Sequence, residues 1–270
     1  MPLKLMYITN EPDVAAIADQ AGVDRIFVDL EVLDKEARQP NMDTVKSNHK
    51  IKDIGIVKKA ASNAEILTRI NHIYKDSKQE INSVIEQGTD IIMLPYFKTV
   101  REVELFLEYV GGKTKTSLLL ETPEAVEWLD EIIKIPGIDE IHIGLNDLSL
   151  GYQKKFMFEL LSDGTVEKIC SKLRNTKIAY GFGGIAALGQ GQLSADYIIK
   201  EHYRLGSTCA ILSRSFCNTS IIKDRTQIQN IFDHGIKSIR EFEREVRAHW
   251  DFFEDNRLQI KTIVNQILEK

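Results

Sequence analysis

Two carboxylates stand where short apolar runs end. Glu121 follows Ser117-Leu118-Leu119-Leu120, and Asp147 follows the run Glu140-Ile141-His142-Ile143 by four residues. If each run is a strand, the two acids sit past the C-terminal ends of their strands, one βα unit apart. Such a pair could share one hard divalent cation, Mg²⁺ or Mn²⁺, which prefers oxygen ligands and leaves coordination positions for substrate. The same positions also suit acids that cap a helix or occupy its first turn.

Other polar residues fall at equivalent places: Asp29 and Glu31, Arg69 and Asn71, Asn146, and Ser213 with Arg214. A buried ionised group is costly unless it is paired or bound to metal. A ring of acids around one central arginine therefore reads as a site for a cation and an oxyanion. For Arg69 the other reading is a buried ion pair with Asp29 or Glu31.

Positioning these groups requires strands that converge. Short apolar runs alternate with helical patterns along most of the chain: strands are expected at 5–8, 25–29, 65–71, 90–95, 116–120, 140–143, 178–181 and 209–212. Between them, helices open at Glu11-Pro12, with Pro tolerated in the first turn, and run over 52–61, 77–87, 100–110 and 123–133. Gly88 suits a left-handed helix cap. Eight strands on a βα repeat, several apolar on both faces, predict a single α/β (β/α)8 TIM barrel over residues 1–225. An open doubly wound sheet is the alternative, weakened because no Gly-x-Gly-x-x-Gly follows the first strand. The long polar segment 34–50 is expected over the barrel's C-terminal face.

The tail, 226–270, carries two amphipathic patterns: Ile228, Phe232, Ile239, Phe242 and Val246, then Ile260, Ile263, Val264, Ile267 and Leu268. A barrel needs one helix after its last strand. The extra C-terminal helix packs either on its own barrel or on a neighbouring subunit, and a homo-oligomer is expected.

A length of 270 residues suits one such barrel, the 43% apolar content supports a large core, and the 28% charged content a soluble surface. The net charge of −5 argues against nucleic-acid or anionic-membrane partners. No apolar run reaches the roughly 18 residues of a membrane span. Three cysteines without metal-binding spacing, Cys170, Cys209 and Cys217, read as free thiols, and the expected compartment is the cytoplasm.

The order and placement of several motifs resemble the HpcH/HpaI aldolase and citrate lyase β-subunit superfamily. The matching stretches are Gly22 to Glu31 (Gly-Val-Asp-Arg-Ile-Phe-Val-Asp-Leu-Glu), Arg69-Ile70-Asn71, Gly88 to Pro95, Leu120-Glu121-Thr122-Pro123-Glu124-Ala125 and Gly137 to Leu148, covering roughly residues 20–150. Each is weak alone; together they are fairly specific. The resemblance implies that Glu121 and Asp147 are metal carboxylates and that Arg69 lies beside the metal. On a 2-oxo acid, the cation would act as a Lewis acid for the enolate left by carbon–carbon cleavage, with Arg69 holding the developing oxyanion. Asp29 and Glu31 join Arg69 as catalytic candidates. Asn71, Gly144, Asn146 and Arg214 are candidate substrate contacts, although Arg214 suits a structural ion pair equally well.

One departure bears on mechanism. Aldolases of the family follow the Asp-x-Glu of strand two with a proton-relaying histidine, where this chain has Val32. The citrate-lyase-like branch also lacks it. His49 and His72 are possible substitutes or ordinary loop residues, and His142 reads as a satisfied barrel histidine. Tyr180-Gly181-Phe182-Gly183-Gly184 could present backbone N–H groups to an anion or reflect tight packing. Lys98 could form a Schiff base, but its place beyond Pro95 favours a solvated lysine.

The expected function is a divalent-metal-dependent carbon–carbon lyase that cleaves or forms a small 2-oxo or 3-hydroxy acid, or its thioester, through a metal-bound enolate. The partner is thus a small anionic 2-oxo acid or acyl thioester. The alternatives are a metal-dependent hydrolase on the same site and a non-catalytic binding or assembly subunit.

Overall fold

The computed structural model describes residues 1–33, 48–249 and 251–269. Its strands are β1 (Lys4–Ile8), β2 (Arg25–Asp29), β3 (Glu65–Arg69), β4 (Ile91–Leu94), β5 (Lys115–Leu120), β6 (Glu140–Ile143), β7 (Ala179–Ile185) and β8 (Cys209–Leu212). They pair in chain order, all parallel, and β8 pairs with β1, so the sheet closes into a (β/α)8 barrel. The helices are α1 (Pro12–Gln20), α2 (Ile51–Ala60), α3 (Ser77–Glu86), α4 (Val100–Val110), α5 (Pro123–Glu127), α6 (Leu129–Ile132), α7 (Leu145–Gly151), α8 (Glu159–Ser162), α9 (Thr165–Leu173), α10 (Ala195–Leu205), α11 (Arg225–Ala248) and α12 (Phe253–Leu268).

Local chemistry explains several boundaries. Pro12 takes the first turn of α1, where a missing N–H leaves no bond unmade. Thr99 caps α4, accepting from the Glu102 N–H, and the Glu102 side chain returns to the Thr99 N–H in a capping box. Gly88, at φ +87°, takes the left-handed turn after α3 that a side chain would strain. The helix expected over 123–133 is broken at Trp128 into α5 and α6.

Strand alternation gives the barrel an inside and an outside. One face of β2 to β5 packs against the helices through Ile26, Val28, Ile66, Ile92, Leu118 and Leu120. The other fills the barrel with Met6, Phe27, Leu67, Ile91, Met93, Leu119 and Cys209. Below this apolar layer, the fully buried Arg25 forks onto Glu140 (2.6 and 2.5 Å) and donates from Nε to Glu65 at 3.0 Å. Burial opposes the Arg25 charge, but the two carboxylates outweigh it and raise its pKa. This ion cluster plugs the N-terminal end of the barrel, the end associated with stability rather than catalysis.

The tail packs back on the barrel. In α11, Ile228, Phe232, Ile236 and Ile239 are buried. Glu243 accepts from the Leu3 N–H and the Tyr203 hydroxyl, both at 2.7 Å, and Arg240 reaches the Leu3 carbonyl and Asp24 at the same distance. Helix α12 buries Ile260 and Val264 and is tied to α10 by Asn256, whose Nδ2 donates to the Tyr197 carbonyl and to Glu201. Among the described residues no helix is long and apolar enough to cross a membrane.

Candidate active site at the C-terminal mouth

The alternation that points Phe27, Leu67 and Leu119 into the barrel also places Asp29, Arg69 and Glu121, two residues on, above that apolar layer. There Arg69 meets Asp29 in a fork: Nε to Oδ1 and Nη2 to Oδ2, each 2.8 Å. Nη1 lies 3.3 Å from Glu31 Oε2. Asp29 and Glu31 are buried, and the guanidinium carbon lies 5.6 Å from the Phe27 ring centroid. Burial opposes the arginine charge, yet Asp29, Glu31 and then Glu121 hold its pKa well above the usual value.

Glu121 itself is fixed by backbone. Tyr96, just past β4, adopts a left-handed φ of 49°, costly for a bulky residue. Its N–H donates to Glu121 Oε1 at 3.0 Å. On the other side, Gly144 leaves the room that Glu121 occupies: a Cβ there would lie 2.8 Å from both Cβ and Oε2 of Glu121. Gly144 thus leaves space beside a carboxylate, a steric role that its expected substrate contact did not include. Asp147 is in the first turn of α7, and Asn146 Nδ2 lies 3.4 Å from its Oδ1. Glu121 and Asp147 line one cavity of about 470 Å³ together with Tyr96, Lys98, Thr122 and Glu124.

Both acids are hard oxygen donors on a shared cavity, with one ordered by an N–H and a tailored gap. That donor set fits Mg²⁺ or Mn²⁺, which take one or two protein carboxylates and complete their shell with water and substrate. Among the described residues no group of three or more His, Cys, Asp or Glu side chains is placed to hold a metal.

The remaining candidates divide. Asn71 is engaged with protein: Oδ1 accepts from the N–H groups of Val32 (2.9 Å) and Leu33 (3.0 Å), and Nδ2 donates to Glu80 at 2.8 Å. Arg214 is exposed in a turn after β8. Val32 is 57% exposed, so no buried relay stands at its position. His49 accepts on Nδ1 from the Asp29 N–H at 2.9 Å, which assigns the neutral ring's proton to Nε2. His142 is a satisfied barrel residue, bonded through Nε2 to the Gly183 carbonyl at 3.2 Å, with burial pushing its pKa down to about 4. The Gly-rich run is part of β7, and tight packing explains it: a Cβ on Gly181 would lie 2.2 Å from the Cys209 carbonyl oxygen, and one on Gly183 2.7 Å from Leu145.

Lys98 lines the cavity, but its Nζ is 3.0 Å from Glu124, a bond that raises its pKa and keeps it an ammonium rather than a nucleophile. Most of the 34–50 loop, including its expected place over the mouth, lies outside the described residues. Two contributors were missed in the sequence, Tyr96 and Glu80. A left-handed tyrosine leaves no sequence signal, whereas Glu80, in the first turn of α3, reads there as an ordinary helix acid.

A family model described as HpcH/HpaI aldolase/citrate lyase matches residues 4–183. Among solved structures, the HpcH/HpaI aldolase from Desulfitobacterium hafniense DCB-2 is 17% identical, with a TM-score of 0.61 over 89% of this chain and 93% of that one. Citrate synthase SbnG is 14% identical, with a TM-score of 0.60 over 89% and 94%. Macrophomate synthase is 14% identical, with a TM-score of 0.57 over 78% and 77%. At these identities the structural likeness speaks for the fold. The search of curated proteins returned no match.

Proposed function

The chain belongs to the HpcH/HpaI aldolase/citrate lyase family, and from that premise we propose that it is a divalent-metal-dependent carbon–carbon lyase acting on a small anionic 2-oxo or 3-hydroxy acid or its thioester. The observation that carries the reading is a shared barrel mouth: Asp29, Arg69 and Glu121 each stand two residues past the apolar layer that fills the barrel, Asp29 and Glu31 hold Arg69, and Glu121 lines one cavity with Asp147. Glu121 and Asp147 would hold the cation. When bound, it supplies Lewis-acid stabilisation of negative charge on the substrate oxygens.

The chain's own residues do the rest. Arg69 stays charged throughout the physiological range and is a fixed donor for an anionic oxygen; because Asp29 pins its plane, it needs no reorganisation as charge develops. Asp29 acts through Arg69 and is a positioning residue. Tyr96 N–H and Gly144 hold the Glu121 carboxylate in one place. Val32, an exposed aliphatic residue, cannot supply the relay of the histidine-bearing aldolases, and this favours a reaction of the citrate-lyase-like kind over a retro-aldol step that needs that histidine.

The test is enolisation itself. Pyruvate and oxaloacetate are incubated in D₂O with the protein and Mn²⁺ or Mg²⁺, and methyl or methylene proton exchange is followed by NMR. Exchange that needs added cation and is lost in Arg69→Lys and Asp147→Asn is expected. Exchange unaffected by Asp147→Asn would overturn the assignment.

A further inference from the structure

Where β2 leaves the barrel, the chain turns outward directly after Glu31, and the N–H groups of Val32 and Leu33 need acceptors. Both find Asn71 Oδ1, at 2.9 and 3.0 Å. A carboxamide is nearly symmetrical in shape, so some neighbour must decide which end faces the loop. Glu80 makes that choice. Its Oε1 accepts from Asn71 Nδ2 at 2.8 Å and from the Asn71 N–H at 3.3 Å. A carboxylate oxygen that accepts from Nδ2 turns Oδ1 towards the loop.

The bonds straddle the site. Arg69 and Asn71 are two residues apart on one chain segment; Asp29, Glu31 and Val32 follow one another on the other. The ladder bond from the Leu30 N–H to the Arg69 carbonyl, 2.9 Å, joins the two segments at their centre. On one side lie the ion pairs of Arg69 with Asp29 and Glu31, on the other the carboxamide tie. Glu31 is held to Arg69 at 3.3 Å while the residue after it is held to Asn71, so movement of the loop would draw Glu31 away from the guanidinium.

We propose that Glu80 and Asn71 form a positioning relay, in which Glu80 orients the Asn71 carboxamide and Asn71 clamps the Val32–Leu33 backbone, setting Glu31 against Arg69. Its catalytic consequence rests on the proposed function, but its structural content does not. Asn71 is then a positioning residue rather than a substrate contact. Glu80 is 8% exposed, and its Oε1 takes both Asn71 donors. Burial raises its pKa, consistent with that surrounding.

The test exchanges the polarity of the pair. Asn71→Asp sets carboxylate against carboxylate and should loosen the clamp, whereas Asn71→Asp with Glu80→Gln restores a donor facing an acceptor. Amide hydrogen exchange of the peptide containing Val32 and Leu33, read on the protein alone, should accelerate about tenfold or more in the single variant and return to within about threefold of wild type in the double. Mn²⁺ binding, which reads the Glu121–Asp147 half, should change less than about twofold in both. Pyruvate proton exchange should fall and recover in parallel with amide protection.

Wild-type amide protection in Asn71→Asp, or a double variant no better than the single, would overturn the relay. A fall in Mn²⁺ affinity that tracks amide exchange would also overturn it, by showing general loosening. If Asn71→Asp does not fold, Glu80→Leu, which removes the orienting oxygen, is read the same way. If wild-type protein does not exchange pyruvate protons at all, the functional reading fails while the amide arm still decides the relay.

Discussion

Arg69 and Asp29 meet as a two-bond fork, 2.8 Å at each contact, at the mouth of a barrel whose other end is plugged by a second fork, Arg25 on Glu140. The two arginines lie in the same closed sheet and each is held by two carboxylates, yet the lower side chain is fully buried while the upper one keeps 15% of its surface exposed.

Arg69→Lys keeps the charge but not the fork. Metal-supported enolisation should fall by about 10²–10³-fold, the range for loss of one oriented donor. Arg69→Met leaves Asp29 and Glu31 as buried anions and should cost about 3–5 kcal/mol of folding stability in urea titrations. A lysine variant with wild-type turnover would remove Arg69 from the chemistry.

Gly144→Ala is aimed at Glu121 through space. The added methyl meets Cβ and Oε2 of Glu121 at 2.8 Å, so the carboxylate must move. Calorimetric titration should show Mn²⁺ affinity reduced by about 10-fold or more, as for disturbed supporting groups at metal sites, while circular dichroism at room temperature remains that of a folded barrel. Unchanged affinity would show that Glu121 does not need its present position to bind.

Lys98 should not be a Schiff-base nucleophile. Glu124 holds it protonated and about half exposed. Borohydride treatment with pyruvate should leave its mass unchanged, and Lys98→Met should retain enolisation within about threefold, as expected for an exposed ion pair worth under about 1 kcal/mol. A reduced adduct on Lys98 would reverse this.

Acid stability is set in part by two buried histidines. Burial holds His142 near 4 and His202 near 3, below the ordinary 6.5. Below pH 6.5 the unfolded chain takes up protons that the folded chain refuses, so this stability is complete above pH 6.5 and is lost as pH falls towards 4 and 3. Between pH 6.5 and 4.5 each histidine should remove roughly 2 kcal/mol. Urea titrations of His142→Gln should show a shallower fall than wild type over that interval.

Much of this protein was legible as a string. The βα alternation foretold a closed parallel barrel because a strand covered on both faces must be apolar on both, and polar residues could then stand only at its ends. Glu121, Asp147, Arg69, Asp29 and Glu31 became candidates on that ground. Which of the possible pairings form was not legible, because that depends on register between distant segments. The sequence reading left open whether Arg69 is an ion pair or an oxyanion donor; the closed sheet brings Asp29 within 2.8 Å of it, so the ion pair forms, and under the proposed function that pair would be the scaffold of the donor. Asn71 and Gly144 are candidate substrate contacts because of where they stand in their motifs. Only the folded chain shows Asn71 clamping the backbone after β2 and Gly144 making way for a carboxylate. Residue type and strand position are local properties of the chain. The partner a buried polar group finds is settled by closure of the barrel.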